Sequence, residues 1–200
     1  MPFADVVGHD HVKAVLARLL ERGRLPGALL LCGPSGVGKK TLALEIARGL
    51  ICEAGGVSAC GRCGGCLRAG KSIHPDIFLI EPATPTAIKI DQVREASRQI
   101  LSGPFEGRAR VFVIDEAHLM TEEASNALLK SLEEPPATSH VMLVTGSPQA
   151  LLPTIRSRCQ TVRVGALPLS VIEEYLRDRA GLDPEDAHLR ASLCLSLIHI

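Results

Sequence analysis

The run Gly33-Pro34-Ser35-Gly36-Val37-Gly38-Lys39 meets the phosphate-loop pattern Gly-x-x-x-x-Gly-Lys-[Ser/Thr] up to its last position. Lys40 then stands where a hydroxyl belongs. Each part of such a loop has its own chemistry. The glycines let backbone N–H groups close around a polyphosphate, and the N-terminus of the following helix adds its positive dipole end. Lys39 is placed to reach the outer phosphates, while the missing hydroxyl is the group that would hold Mg²⁺. Sliding the register to use Thr41 fails, because Lys39 would then occupy the required glycine and Pro34 the first one. The chain is expected to hold ATP or a related polyphosphate through Gly33–Thr41, with its claim to hydrolysis weakened at Lys40. A glycine-rich turn without a ligand is the plain alternative.

Three further sets of residues carry potential chemistry. Asp115-Glu116 follows the apolar run Val111-Phe112-Val113-Ile114. A carboxylate pair at the C-terminal end of a parallel strand is where open α/β sheets place their sites. With a phosphate loop upstream, Asp115 would coordinate Mg²⁺ through water and Glu116 would activate an attacking water. The competing role is a helix start, with Asp115 as cap and Glu116 beside the dipole. Thr145, after the run Val141–Val144, is a candidate γ-phosphate sensor or simply a turn residue. Cys52, Cys60, Cys63 and Cys66 form the third set, the last three as Cys-x-x-Cys-x-x-Cys. In a reducing compartment this grouping reads as a metal site, and four thiolates match tetrahedral structural Zn²⁺. Gly55, Gly56, Gly61, Gly64 and Gly65 permit tight turns around it. An iron–sulfur cluster and free thiols are the alternatives. Cys32, Cys159 and Cys194 stand alone and read as packing residues.

The elements that must position these groups follow from apolar patterning. Ala28–Cys32 reads as a buried parallel strand leading into the loop, and Leu42, Ile46 and Leu50 give a helix over about 41–50. Ile77–Ile80 reads as a second strand. A helix from about Asp91 follows, with Val93, Ile100 and Leu101 on one face. Thr121-Glu122-Glu123 opens another helix whose buried stripe is Ala124, Ala127, Leu128 and Leu132, ended by Pro135-Pro136. Strands at Val111–Ile114, Val141–Val144 and Gln160–Val164 complete an α/β alternation with a parallel sheet covered on both faces. Pro168 marks a linker, and helical sequence resumes at Ser170.

Composition bounds the function class. The 200 residues are 46% hydrophobic and 22% charged, with zero net charge, so no overall basic field marks a nucleic-acid binder. Four Phe, one Tyr and no Trp argue against a base-stacking platform. No basic-then-apolar leader and no run of membrane-spanning length are present, so the expectation is a soluble cytoplasmic protein without membrane contact.

Taken together, these residues resemble the delta-prime subunits of the bacterial DNA polymerase III clamp loader. The resemblance runs from Phe3-Ala4-Asp5-Val6-Val7-Gly8 to about Arg190. It rests on the four-cysteine insertion after the phosphate-loop helix, His74-Pro75-Asp76, the Asn126-to-Pro136 segment with Leu132-Glu133-Glu134-Pro135-Pro136, and Leu151-Leu152-Pro153-Thr154-Ile155-Arg156-Ser157-Arg158-Cys159. The sister gamma/tau subunits share most of these motifs. What the resemblance implies is an AAA+ P-loop fold with sheet order 5-1-4-3-2, a zinc-binding module over 52–66 within a nucleotide domain of residues 1–165, and the start of a small helical lid over 168–190. It further implies partners: gamma/tau and delta subunits, and, through the complex, the sliding clamp and primer–template DNA. Arg158 would reach a neighbour's ATP in trans; from the residue alone, a surface ion pair is the leading reading. Two departures are visible. Cys52 to Cys60 is one residue shorter than the family spacing, and residues 191–200 continue neither the lid nor a collar domain and read as a non-native tail. A gamma/tau-like ATPase using Thr41 or water for Mg²⁺, and an AAA+ switch outside replication, are the competing functions.

Overall fold

The computed structural model describes residues 3, 5–55, 59–84 and 86–194. Five parallel strands form the sheet: β1 (Ala28–Cys32), β2 (Ile77–Ile80), β3 (Arg110–Ile114), β4 (Ser139–Thr145) and β5 (Gln160–Arg163). Their order is β2-β3-β4-β1-β5, which is the expected 5-1-4-3-2 read from the other edge.

Side chains alternate across a strand, so a strand buried on both faces must feed two cores. β1 and β3 are buried at every position. Leu29, Leu31, Val111 and Val113 join one core with Leu16 of α1 (Asp10–Glu21) and Leu42 and Ile46 of α2 (Lys39–Ile51). Leu30, Phe112 and Ile114 join the other with Val93 and Ile100 of α4 (Ile90–Ile100) and Leu128 and Leu132 of α5 (Glu122–Glu133). The unbroken apolar runs of the sequence are therefore two interleaved patterns of period two. Phe78 stacks on Phe112 with ring centroids 4.8 Å apart, extending the second core to the β2 edge.

Several details differ from the sequence reading. The phosphate-loop helix begins at Lys39, two residues early, because the loop turns directly into it at Gly38. Leu101 is 60% exposed rather than on the buried face of α4, since the helix ends at Ile100 and Leu101 caps it. β5 ends at Arg163, although the Val164 N–H still donates to the Cys32 carbonyl at 2.8 Å. Sequence patterning picked out neither α1 nor α3 (Gly64–Gly70), the latter lying inside the cysteine segment. After the short α6 (Pro153–Arg156), α7 (Leu169–Ala180) and α8 (Pro184–Cys194) pack on each other around Leu167, Ile172, Leu176, Ala187 and Ala191, a separate small core. The reading of 191–200 as a foreign tail falls in part on residues 195–200, outside the described residues. Among the described residues, no helix is long and apolar enough to cross a membrane.

Candidate functional site

The phosphate loop leaves the C-terminal end of β1 and enters α2 through Gly38, whose φ of 92° is strained for any residue with a Cβ. No side chain caps this helix, so its N-terminal dipole faces an open cavity of about 370 Å³. Gly36, Val37, Gly38, Lys39, Lys40, Thr41, Asp115 and Glu116 line that cavity, with Tyr175 of α7 at its rim. Gly33 is required for another reason. A Cβ there would lie 1.9 Å from the Val164 carbonyl oxygen, so only glycine lets β1 and the β5 exit pass. His9 braces the loop by bonding the Val37 carbonyl at 2.8 Å.

The two lysines do different things. Lys39 is buried, and its ammonium donates to the Pro34 carbonyl at 2.6 Å, inside the loop. Burial holds its pKa below the ordinary lysine value, against the pull of Glu116 and Asp115. Lys40 points at the carboxylates, with its ammonium 2.5 Å from Glu81 at the end of β2 and 3.5 Å from Asp115 at the end of β3. Burial alone would lower its pKa as well, but the Glu81 hydrogen bond and the Asp115 and Glu81 charges outweigh it and raise it.

Mg²⁺ requires near-octahedral oxygen coordination at about 2.0–2.1 Å. Here the residue after Lys39 offers an ammonium instead of a hydroxyl. One Asp115 oxygen accepts from the Glu116 N–H at 3.0 Å, and the other faces Lys40. These residues do not fit a loop-held Mg²⁺, and the mismatch follows from charge: a cation already occupies the mouth of the carboxylates.

Glu116 takes a left-handed backbone conformation with φ 48°, uncommon for a residue with a Cβ. Its carboxylate lies 3.4 Å from His118 Nδ1, which lies 3.2 Å from the Thr145 hydroxyl. Thr145 is fully buried and its Oγ1 also accepts from the Ser147 N–H at 3.0 Å. The Thr145 hydroxyl, a candidate γ-phosphate sensor or turn residue, thus supports a local turn and lies against His118. Pro34 and Ser35 lie at the start of the loop, away from the carboxylates; Pro34 borders a second groove shared with Gly146, and the Ser35 hydroxyl sits close to Gly146.

Arg158 lies elsewhere. Parallel register pairs Leu29 with Gln160, so Arg158 precedes β5 at the N-terminal end of the sheet while the loop follows β1 at the C-terminal end. At about 3.3 Å per residue, those ends are separated by roughly 13 Å along β1 alone. The guanidinium is held by Glu133 of α5, with Nε to Oε1 at 2.9 Å and a second bond from Nη2, and Nη1 donates to the Thr154 carbonyl at 2.9 Å. Buried Ile155 and Cys159 anchor the segment on either side.

The four cysteines converge, with all four sulfurs within 4.8 Å of one another. A Zn–S bond of about 2.3 Å in a tetrahedron places sulfurs about 3.8 Å apart, and Cys60 and Cys66 lie 4.0 Å apart. α3 supplies the geometry: the Cys63 sulfur caps it by accepting from the Cys66 N–H at 3.4 Å. N–H groups of Arg62 and Cys63 lower the Cys60 thiol to about 6, whereas burial pushes Cys66 up to about 12. The cluster fits a closed structural zinc site formed by Cys52, Cys60, Cys63 and Cys66.

His74 and Asp76, which sequence motifs flagged without a role, brace this module. Fully buried Asp76 accepts from the N–H groups of Phe105, Glu106 and Gly107 at 2.6, 3.0 and 2.8 Å and pairs with Arg110 at 3.3 Å. The loop so fixed reaches the cysteine segment, as Glu106 pairs with Arg68 of α3 at 2.7 Å and Arg108 donates to the Glu53 carbonyl at 3.2 Å.

A family model described as "DNA polymerase III, delta subunit" matches residues 8–168. The chain belongs to that family. Members with two kinds of name resemble it. The DNA polymerase III subunit tau of Salmonella typhimurium is 40% identical over 175 residues, covering 87% of this chain and 27% of that protein. The DNA polymerase III subunit delta' of Bacillus subtilis is 35% identical over 182 residues, covering 91% and 55%. This chain therefore spans between about a quarter and just over half the length of these two relatives. Among solved structures, RuvB of Thermotoga maritima superimposes with a TM-score of 0.61 at 20% identity, over 96% of this chain and 60% of that one, which shows the AAA+ fold. Placed on this fold, the family member carries its phosphate loop and carboxylates at one end of the sheet and its Ser-Arg-Cys arginine at the other.

Proposed function

We propose that this chain acts as a delta-prime-type subunit of a DNA polymerase III clamp loader, working with gamma/tau and delta subunits to place the sliding clamp on primed DNA. In this reading residues 1–165 form the nucleotide domain and 168–190 begin its helical lid. Its own loop holds nucleotide without turning it over, and Arg158 completes a neighbour's ATP site. The observation that carries the reading is the Lys40 ammonium lying between Glu81 and Asp115, where a hydrolytic site needs a metal. The location of Arg158 supports the trans role, because it is at the wrong end of the sheet to serve its own loop. A guanidinium pre-set by Glu133 and Thr154 is suited to stabilising charge on a transferring phosphoryl group.

The test is Arg158→Ala in the assembled loader. Nucleotide binding by this chain is expected to stay unchanged, while hydrolysis at the adjacent site falls by about 10³-fold or more. Unchanged hydrolysis would overturn the trans assignment. The intact Asp115-Glu116 pair and the 40% identity to a tau subunit favour a second reading, a gamma/tau-like ATPase. ATP turnover by the isolated chain, abolished by Glu116→Gln, would establish that reading and remove the first.

A further inference from the structure

We propose that Lys40 is a built-in counter-cation for the phosphate loop, so that the site takes a nucleoside di- or triphosphate free of divalent metal. The inference rests on the reading of Gly33–Lys39 as a polyphosphate-holding loop and specifies the form of ligand that loop accepts. Three observations carry it. Lys40 lines the same cavity as Gly36, Gly38 and Lys39, at the uncapped start of α2. Its ammonium bridges Glu81 and Asp115, the first residues after β2 and β3. The residue position that supplies a metal's hydroxyl ligand in the loop pattern is the one this lysine fills.

The chemistry follows from donors and charge. A metal at such a site neutralises the carboxylate and bridges it to phosphate oxygens. An ammonium carries one positive charge and three donors, of which Glu81 takes one by hydrogen bond while Asp115 lies 3.5 Å away as an ion pair. A remaining donor is available to a phosphate oxygen, and the charge separates that anion from Asp115. A divalent ion arriving with the nucleotide would have to displace Lys40 from two carboxylates, so metal gains little here. Lysine serves as a point charge toward phosphate, which suits a position with no fixed bidentate partner.

The experiment is a fluorescence titration of the 200-residue chain with a ribose-labelled ADP, in EDTA and in excess Mg²⁺. It is run for the unaltered chain, Lys40→Thr, Lys40→Met and Lys39→Ala, with thermal melts to verify folding. For the unaltered chain the two Kd values are expected to agree within about threefold, whereas Lys40→Thr should bind about tenfold or more tightly with Mg²⁺ than without. Lys40→Met should lose the metal-free binding, having neither the cation nor a hydroxyl. Binding by the unaltered chain that weakens about tenfold in EDTA overturns the counter-cation role and leaves the nucleotide-holding loop standing. Binding by Lys40→Thr alone also overturns it, by making Lys40 a block. Absence of binding by every form, Lys39→Ala included, overturns both this inference and the reading of the loop. Metal-free binding that survives in folded Lys40→Met overturns the role of the ammonium specifically.

Discussion

Replacing Asp76 with Asn is expected to cost stability out of proportion to the small chemical change. One carboxylate oxygen takes the Phe105 N–H and the Arg110 guanidinium, and the other takes the Glu106 and Gly107 N–H groups. All four partners donate, so an asparagine must turn its NH₂ against one pair whichever way it is flipped. Removing one member of a buried charged pair costs about 3–5 kcal/mol. The three N–H bonds do not add their full worth, because the 105–107 loop lies near the surface and water can reach it once it moves. For a chain of this size the loss corresponds to a fall in Tm of roughly 6–20 °C. The pH dependence has a definite sign. Burial would raise the Asp76 pKa, but the backbone N–H groups of Phe105, Glu106 and Gly107, with Arg110, outweigh it and hold the carboxyl below its ordinary value. Its contribution is therefore complete above the unfolded value of about 3.9 and is lost as pH falls through the lower folded value. Urea unfolding of the two forms should show the full gap at pH 7 and about pH 5, closing only below about pH 4. Because the same loop holds Arg68 and the Glu53 carbonyl, the variant should also bind zinc more weakly. A variant within about 1 kcal/mol of the parent at pH 7 would refute the reasoning.

Two further outcomes follow from the same geometry. Gly33→Ala should destabilise the fold by at least about 1–3 kcal/mol, since its Cβ would meet the Val164 carbonyl oxygen at 1.9 Å and push β5 away from β1; an unchanged urea midpoint would show that the strands yield freely there. Zinc titrated into the metal-free chain at neutral pH should bind one ion per chain and release protons. Cys66, which burial holds up to about 12, must give up its proton on binding, whereas the Cys60 thiol, lowered to about 6 by the Arg62 and Cys63 N–H groups, is largely ionised beforehand. Acidification should weaken binding, and Cys66→Ser should weaken it sharply; an indicator dye recording no proton release would contradict this arrangement of thiols.

Much of the molecule was legible in the residues. The apolar runs Ala28–Cys32 and Val111–Ile114 specify buried parallel strands because burial on both faces permits no polar alternation. The loop glycines and the Cys-x-x-Cys-x-x-Cys spacing specify their chemistry because backbone approach and metal ligation are local demands. α1 escaped because its apolar positions are mostly half-buried and its N-cap, His9 in a left-handed conformation, is not a usual starting residue. What tertiary structure alone decided are the partners of charged and polar side chains. Lys40 finds Glu81 and Asp115, Asp76 finds the 105–107 loop and Arg110, and Arg158 finds Glu133, each pair brought together from elements far apart in the chain. Such pairings depend on strand order and register, which are set by the whole sheet. A lysine in place of a hydroxyl reads in sequence as a damaged phosphate loop. Once the parallel sheet brings the C-terminal ends of β2 and β3 to the same side as that of β1, the same lysine is a cation seated between two carboxylates.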